Sequence, residues 1–281
     1  MKIFDGHVHV TDIPVDNAQF LQRLQAVGLS GALLISKKPA SLYHYPSTAT
    51  TKERLDSLFA VTEEAKGLFP FYFIDPMEHD ALTQVEYAVQ RGVAGFKVVC
   101  NRFYPGDDKA MRVFERIALH NKPLLFHTGI LYDGRNSSTR YNRPGEFDAL
   151  FSIEGLRFCL AHVSWPWCEE CIALFGKFEN SKGKYPNSKT QMYIDIAPGT
   201  PPARRRDALT QLFGFDYSPE DYVIFGTDGC AGDYSGEYTQ SILTRDKAIL
   251  EEMGIFERVA PKLYHDNLLR FMGVANDSNT L

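Results

Sequence analysis

Lys2-Ile3-Phe4-Asp5-Gly6-His7-Val8-His9-Val10 opens the chain. Its first residues are apolar enough to begin a buried strand, and residues i and i+2 of a strand point to the same side. His7 and His9 therefore project together, with Cα atoms about 6.5 Å apart by strand rise. Two neutral imidazoles side by side are a chelate suited to zinc, iron, manganese or cobalt. Taken alone, a His-x-His pair reads equally well as two solvated or core histidines of an edge strand. It gains meaning only if more ligands arrive at the ends of later strands.

Outward from this stretch, apolar, β-branched or aromatic runs alternate with segments of helical period. After a first strand over 2–10, strands are predicted over 31–36, 69–75, 93–99, 123–128, 157–163, 192–197 and 222–227. Most are short continuous apolar runs, the pattern of parallel strands buried on both faces. Amphipathic helices are predicted over 17–27, 52–66, 80–91, 109–120, 166–178 and 203–213, with 236–253 and 261–272 after the last strand. Eight strands, each followed by a helical or irregular crossover, predict a (β/α)8 TIM barrel, an α/β fold in a single domain over 1–274. A doubly wound open sheet is the competing architecture, but no Gly-rich phosphate loop follows the first strand. The polar stretch 275–281 is expected to fray.

The 281 residues are 44% hydrophobic, ample for a sizeable core. With 30 Lys and Arg against 35 Asp and Glu, net charge is −5. That gives no electrostatic case for nucleic acid or an anionic membrane as partner. No apolar run approaches the ~18 residues of a membrane span. The N-terminus lacks the basic-then-apolar pattern of a signal peptide. Five scattered cysteines suit free thiols in a reducing cytosol, so a cytoplasmic protein with a small-molecule substrate is expected.

In a barrel of this kind, catalytic residues sit at the C-terminal ends of strands. His7 and His9 end strand one. Lys97 lies in Gly95-Phe96-Lys97-Val98-Val99 of strand four. His127 ends strand five in Leu124-Leu125-Phe126-His127-Thr128-Gly129, and His162 ends strand six in Cys159-Leu160-Ala161-His162-Val163. Asp228 follows strand eight in Val223-Ile224-Phe225-Gly226-Thr227. Each places an ionisable group where burial is costly unless something pairs with it. One shared metal would answer all of them.

These residues carry a resemblance. The pattern Asp5-Gly6-His7-Val8-His9, Gly95-Phe96-Lys97, Phe126-His127-Thr128-Gly129, Ala161-His162 and Phe225-Gly226-Thr227-Asp228 resembles the amidohydrolase superfamily. It is closest to the branch, amidohydrolase 2, that includes decarboxylases and lactonases. The closing Leu263-Tyr264-His265-Asp266-Asn267-Leu268-Leu269-Arg270-Phe271 is similar to that branch's last helix.

The resemblance implies that His7, His9, His127 and Asp228 hold one divalent metal, zinc first and manganese second. It implies that the metal lowers the pKa of a bound water, that Asp228 accepts and passes on a proton, and that His162 polarises a substrate carbonyl or orients the water, or else ligates a second metal. Binuclear members carry a carboxylated lysine at the end of strand four. Lys97 opens that alternative, although one metal, with Lys97 free to meet a substrate anion, is expected. A homo-oligomer is implied by resemblance alone.

Three arginines, Arg135, Arg140 and Arg143, lie in the loop after strand five with Tyr132, Asp133 and Tyr141, and Arg102 lies just past strand four. They suggest recognition of a carboxylate or phosphate, although a solvated loop is the plainer reading for each one singly. Arg102 and Arg140 are taken as substrate-binding candidates, and Trp165 as an aromatic wall. Tyr43-His44-Tyr45, after strand two, is a candidate cover. Asp195 is a candidate support from behind the site. Cys168-Glu169-Glu170-Cys171 reads as helix-face cysteines, His120 as stabilising, His265 as packing or capping, and Arg204-Arg205-Arg206 as a solvated face.

Three functions follow. The first is a metal-dependent hydrolase acting on a C–O or C–N carbonyl of a small carboxylated substrate. The second is a non-oxidative decarboxylase on the same scaffold, with Asp228 protonating carbon; Val8, where many such enzymes carry glutamate, argues mildly against it. The third is a ligand-binding barrel without activity.

Overall fold

The computed structural model describes residues 1–42, 48–132 and 138–274. Eight strands follow the predicted alternation: β1 (Phe4–His9), β2 (Gly31–Ile35), β3 (Leu68–Phe73), β4 (Gly95–Val98), β5 (Leu124–Phe126), β6 (Arg157–Leu160), β7 (Gln191–Asp195) and β8 (Val223–Ile224). A two-residue strand, β9 (Gly229–Cys230), follows. All pair in parallel, in the order β8-β7-β6-β5-β4-β3-β2-β1-β9. β9 pairs the far edge of β1 through Val8↔Gly229 and His9↔Cys230. Just before it, the Gly6 amide donates to the Phe225 carbonyl at 2.9 Å. β8 and β9 are thus two halves of one interrupted strand that closes the sheet onto β1 as a (β/α)8 barrel. A Cβ on Gly6 would lie 2.6 Å from Ile224 Cγ2, and one on Gly226 would lie 2.7 Å from His7 Cβ. This seam accepts only glycine at both positions.

Strand alternation sorts the side chains. Phe4, Leu33, Ile35, Phe71, Phe73, Leu125, Cys159, Tyr193 and Ile224 pack inside the barrel, with Leu268 and Phe271 of the last helix closing its lower end. Their neighbours Leu34, Tyr72, Phe96, Leu124, Phe126, Phe158 and Ile194 pack outward. Followed by two-residue steps toward each C-terminal end, the inward series reaches Lys37 after Ile35, His127 after Leu125 and Asp195 after Tyr193. The barrel is therefore apolar below and ionisable above.

The outer layer is α1 (Asn17–Ala26), α2 (Thr51–Thr62), α3 (Ala81–Arg91), α4 (Asp108–Leu119), α5 (Cys168–Lys184), α6 (Arg205–Gly214), α7 (Gly236–Glu252), α8 (Phe256–Pro261) and α9 (Asn267–Met272). Several boundaries differ from expectation. α5 runs six residues past the predicted end, and the final pattern is split by a π turn over Lys262–Asp266. Between β5 and β6 the described residues form 3-10 turns, Thr139–Asn142 and Pro144–Ser152. The predicted tail, 275–281, lies outside the described residues. Among the described residues no helix is long and apolar enough to cross a membrane.

The solvated reading of Arg204-Arg205-Arg206 needs correction. Arg204 and Arg206 are exposed, paired with Asp207 and Glu252. Arg205 is fully buried, with Nε 2.9 Å and Nη2 2.5 Å from the two oxygens of Asp246 on α7. One of three consecutive residues at a helix start turns inward, and its partner lies 41 residues away, where a local reading could not find it. Cys168 and Cys171 are free and buried in α5. His120 bonds Glu86 at 3.1 Å, and the His265 ring packs 5.3 Å from that of Phe4.

Candidate metal centre

The two histidines of β1 converge with the carboxylate that interrupts the eighth strand. His7 Nε2 and His9 Nε2 are 3.3 Å apart. Asp228 Oδ1 lies 3.3 Å from the first and 3.2 Å from the second. Behind them, His7 Nδ1 sits 2.6 Å from Asp195 Oδ2. Burial pushes the Asp195 carboxyl up to about 6, so it is ionised at neutral pH and can only accept. His7 Nδ1 therefore carries the proton, and Nε2 presents a lone pair to the cavity. Burial, reinforced by the Lys97 charge, holds His7 well below the usual imidazole range, so the ring is neutral. A lone pair facing a carboxylate oxygen at 3.3 Å is unfavourable unless a cation lies between them. Two imidazole nitrogens and a carboxylate oxygen are a donor set for a divalent transition metal.

The turn that delivers Asp228 is built by Asp5. Asp228 has φ +55°, uncommon for a residue with a side chain. Asp5 Oδ1 accepts the amides of His7 (3.1 Å) and Thr227 (2.9 Å), while Oδ2 accepts the hydroxyls of Thr227 (2.5 Å) and Tyr234 (2.8 Å). Asp5 thus ties β1 to the residue before Asp228. The desolvation of complete burial raises its carboxyl to about 6 against the pull of these four bonds.

His162 is held by a more contorted segment. His162, Val163 and Ser164 have φ of +65°, +43° and +55°. Thr128 Oγ1 donates to the Ala161 carbonyl at 2.5 Å and lies 2.7 Å from Ser164 Oγ, which fixes this loop to the end of β5. His162 Nδ1 lies 3.3 Å from the Ala197 carbonyl. A carbonyl only accepts, so Nδ1 bears the proton and Nε2 is a lone-pair acceptor. Burial lowers this imidazole to about 4. A neutral ring in that tautomer can orient a water but has no proton with which to polarise a carbonyl.

His127 departs from the expected ligand set. It lines the cavity, its ring 4.9 Å from that of His162, but its Nε2 donates to the Ile130 carbonyl at 3.2 Å. That nitrogen therefore carries a proton and does not join the cluster of His7, His9 and Asp228. Lys97 is 2% exposed, with Nζ 3.2 Å from His7 Nε2. Burial brings its ammonium down to about 8 against the pull of Asp228 and Asp195.

These groups open into a cavity of about 590 Å³ at the C-terminal ends of the strands. Arg102, Arg140 and Trp165 are not among its described lining residues. Arg102 and Arg140 are exposed, and Arg140 donates to the Tyr141 hydroxyl at 2.6 Å. Trp165 packs on the outer core and lines a separate cleft with Trp167 and Glu170. Position after a strand placed these three near the mouth; loop conformation then turned them elsewhere. Tyr43-His44-Tyr45, Asp133 and Arg135 lie outside the described residues. Lys37, Lys38, Phe73 and Leu131 are among the lining residues that the sequence did not single out. For the lysines the signal was present: a charged pair directly after the apolar run of β2.

The family model described as amidohydrolase matches residues 5–273. The chain belongs to the amidohydrolase family. No curated protein matches it by sequence. Among solved structures, this amidohydrolase is similar to a probable 2-pyrone-4,6-dicarboxylic acid hydrolase from Acinetobacter baumannii with citric acid bound. The identity is 12% over 97% of this chain and 100% of that one, with a TM-score of 0.61. It is similar to 4-oxalomesaconate hydratase from Rhodopseudomonas palustris at 14% identity over 96% and 95%, TM-score 0.61. An amidohydrolase from Burkholderia ambifaria with bound Zn aligns at 10% identity over 93% and 68%, TM-score 0.61. At these identities the likeness is one of fold.

Proposed function

We propose that this amidohydrolase is a metal-dependent hydrolase that cleaves a C–O or C–N bond at the carbonyl of a small carboxylated substrate. The observation that carries the reading is the convergence of His7 Nε2, His9 Nε2 and Asp228 Oδ1 within 3.3 Å of one another, with the first lone pair set by Asp195. His7, His9 and Asp228 would hold one divalent ion, zinc first and manganese second. Such an ion supplies Lewis acidity and a water acidic enough to react near neutral pH. The Zn bound in the Burkholderia amidohydrolase and the pyrone-dicarboxylate chemistry named for the Acinetobacter protein support the same reading.

This chain's own residues divide the remaining work. Burial raises the Asp228 carboxyl, but the His9 ring bonded to it at 3.2 Å outweighs that and holds it well below the usual carboxylate range. With 37% of its side chain open, it can take a proton at the oxygen turned away from the imidazoles. His162 Nε2 accepts a hydrogen bond from a water and so orients it. The Lys97 ammonium, on the cavity floor, meets a substrate carboxylate as a compact charge. The apolar walls Phe73, Val99 and Leu131 exclude water around the reacting carbonyl.

A panel of small carboxylated lactones and amides, assayed with and without a chelator, tests this reading. Turnover that is abolished by the chelator, restored by zinc or manganese and lost in a folded Asp228→Asn variant is expected. Turnover indifferent to the chelator, or release of CO2 in place of hydrolysis, would overturn it.

A further inference from the structure

Three consecutive residues, His162 (φ +65°), Val163 (φ +43°) and Ser164 (φ +55°), hold a left-handed backbone, whereas Asn121, Ser218 and Asp228 are left-handed singly. Val163 is β-branched, a residue type poorly suited to that region. Such a run persists only where its surroundings over-determine it, and backbone strain of this kind gathers where a side chain must be aimed.

Here the surroundings centre on one hydroxyl. Thr128 Oγ1 lies 2.5 Å from the Ala161 carbonyl oxygen and 2.7 Å from Ser164 Oγ. A carbonyl only accepts, so the single Thr128 hydroxyl proton goes to Ala161. Ser164 must then donate its own proton to Thr128 Oγ1. One hydroxyl therefore grips both ends of 161–164 and brackets the residues between, His162 and Val163. Thr128, Ala161 and Ser164 are fully buried, so water cannot replace either bond. On the far side, a Cβ on Gly199 would lie 2.7 Å from His162 Cβ, which leaves the His162 side chain no room to retreat. The Trp165 amide closes the turn on the His162 carbonyl at 3.1 Å. Held in this way, the His162 ring stands 4.9 Å from that of His127 and 5.3 Å from that of His7, with Nδ1 on the Ala197 carbonyl.

We propose that Thr128 is a positioning residue for the reaction. It is not among the described residues that line the cavity, and it acts by clasping 161–164 so that Nε2 of His162 faces the metal centre. The proposal deepens the hydrolase reading and takes from it the part His162 plays in orienting water.

Spectra of the full chain carrying histidine labelled with nitrogen-15 test it, with the His162 signals identified by their loss in His162→Gln. In the unmodified protein and in Thr128→Ser, which keeps the hydroxyl, His162 should show one tautomer, protonated at Nδ1. In Thr128→Val, which keeps the shape and loses the hydroxyl, the His162 signals should shift toward a mixture of tautomers while those of His120 and His265 hold. On a substrate that is turned over, Thr128→Val should lower kcat about 100-fold with KM within about twofold, and Thr128→Ser should recover most of the loss. An unchanged His162 signal in Thr128→Val, or the same change in Thr128→Ser as in Thr128→Val, would overturn the proposal. If Thr128→Val does not fold, Ser164→Ala, which removes only the bond donated to Thr128, decides in its place: a shifted His162 signal upholds the proposal and an unchanged one overturns it. Failure of the hydrolase reading would appear in turnover and metal content, and the tautomer of His162 is read without either.

Discussion

Asp195 Oδ2 lies 2.6 Å from Nδ1 of His7, a residue 188 positions away in the chain. The contact fixes the His7 tautomer, so the lone pair at Nε2 follows from a residue that never faces the cavity opening. Carboxylates placed behind metal-binding histidines change metal affinity by about 10–100-fold. Asp195→Ala should weaken zinc binding on that scale in a competitive chelator titration. Asp195→Asn, whose carbonyl still accepts from Nδ1, should lose less. Unchanged affinity in Asp195→Ala would show that the tautomer is set elsewhere.

Asp5 separates two effects that alanine would merge. Asp5→Ala strands the buried amides of His7 and Thr227, at about 1–3 kcal/mol each, and loosens the turn before Asp228. Asp5→Asn can keep both amides on its carbonyl and donate to one of the two hydroxyls, which can reverse direction. It should fold with little loss.

The same residue shapes the pH dependence of stability. Its folded carboxyl titrates at about 6, above the ordinary 3.8, so between these values the native state holds a proton the unfolded chain has released. Its contribution is full below 3.8 and lost as pH rises through about 6, with an amplitude on the order of 3 kcal/mol. Urea unfolding of the original and Asp5→Asn chains from pH 4 to 7 should show that difference closing in the variant. Parallel curves would contradict the assignment.

Two arginine–carboxylate pairs, one buried and one exposed, provide a stability contrast. Asp246→Ala leaves the Arg205 charge buried and should cost about 3–5 kcal/mol. Glu252→Ala breaks an exposed pair with Arg206 and should cost less than about 1 kcal/mol. Denaturant unfolding of both variants checks the ratio; similar losses would mean Arg205 is solvated after all.

Much of the barrel was legible because buried parallel strands are short apolar runs, and an ionisable residue ending such a run marks the active face. His7, His9, Lys97, His127, His162 and Asp228 all reach the cavity on that logic. What escaped depends on contacts distant in sequence or on loop conformation. Asp5 reads as part of a motif, yet its four donors come from both ends of the chain. The left-handed residues at His162–Ser164 and Asp228 have no signature in residue type, since none is glycine. Arg102, Arg140 and Trp165 follow the right strands, and only their loops' paths take them from the cavity. Lys37 and Lys38 were passed over because a lysine pair at a strand end resembles an ordinary solvated turn.

Metal content of the untagged protein by elemental analysis, beside a His7→Ala/His9→Ala double variant, tests the central claim most directly. About one divalent ion per chain in the original protein, and none in the variant, is the expected result for a single N, N, O donor set. No ion in either protein, with none taken up when zinc or manganese is added, would contradict it.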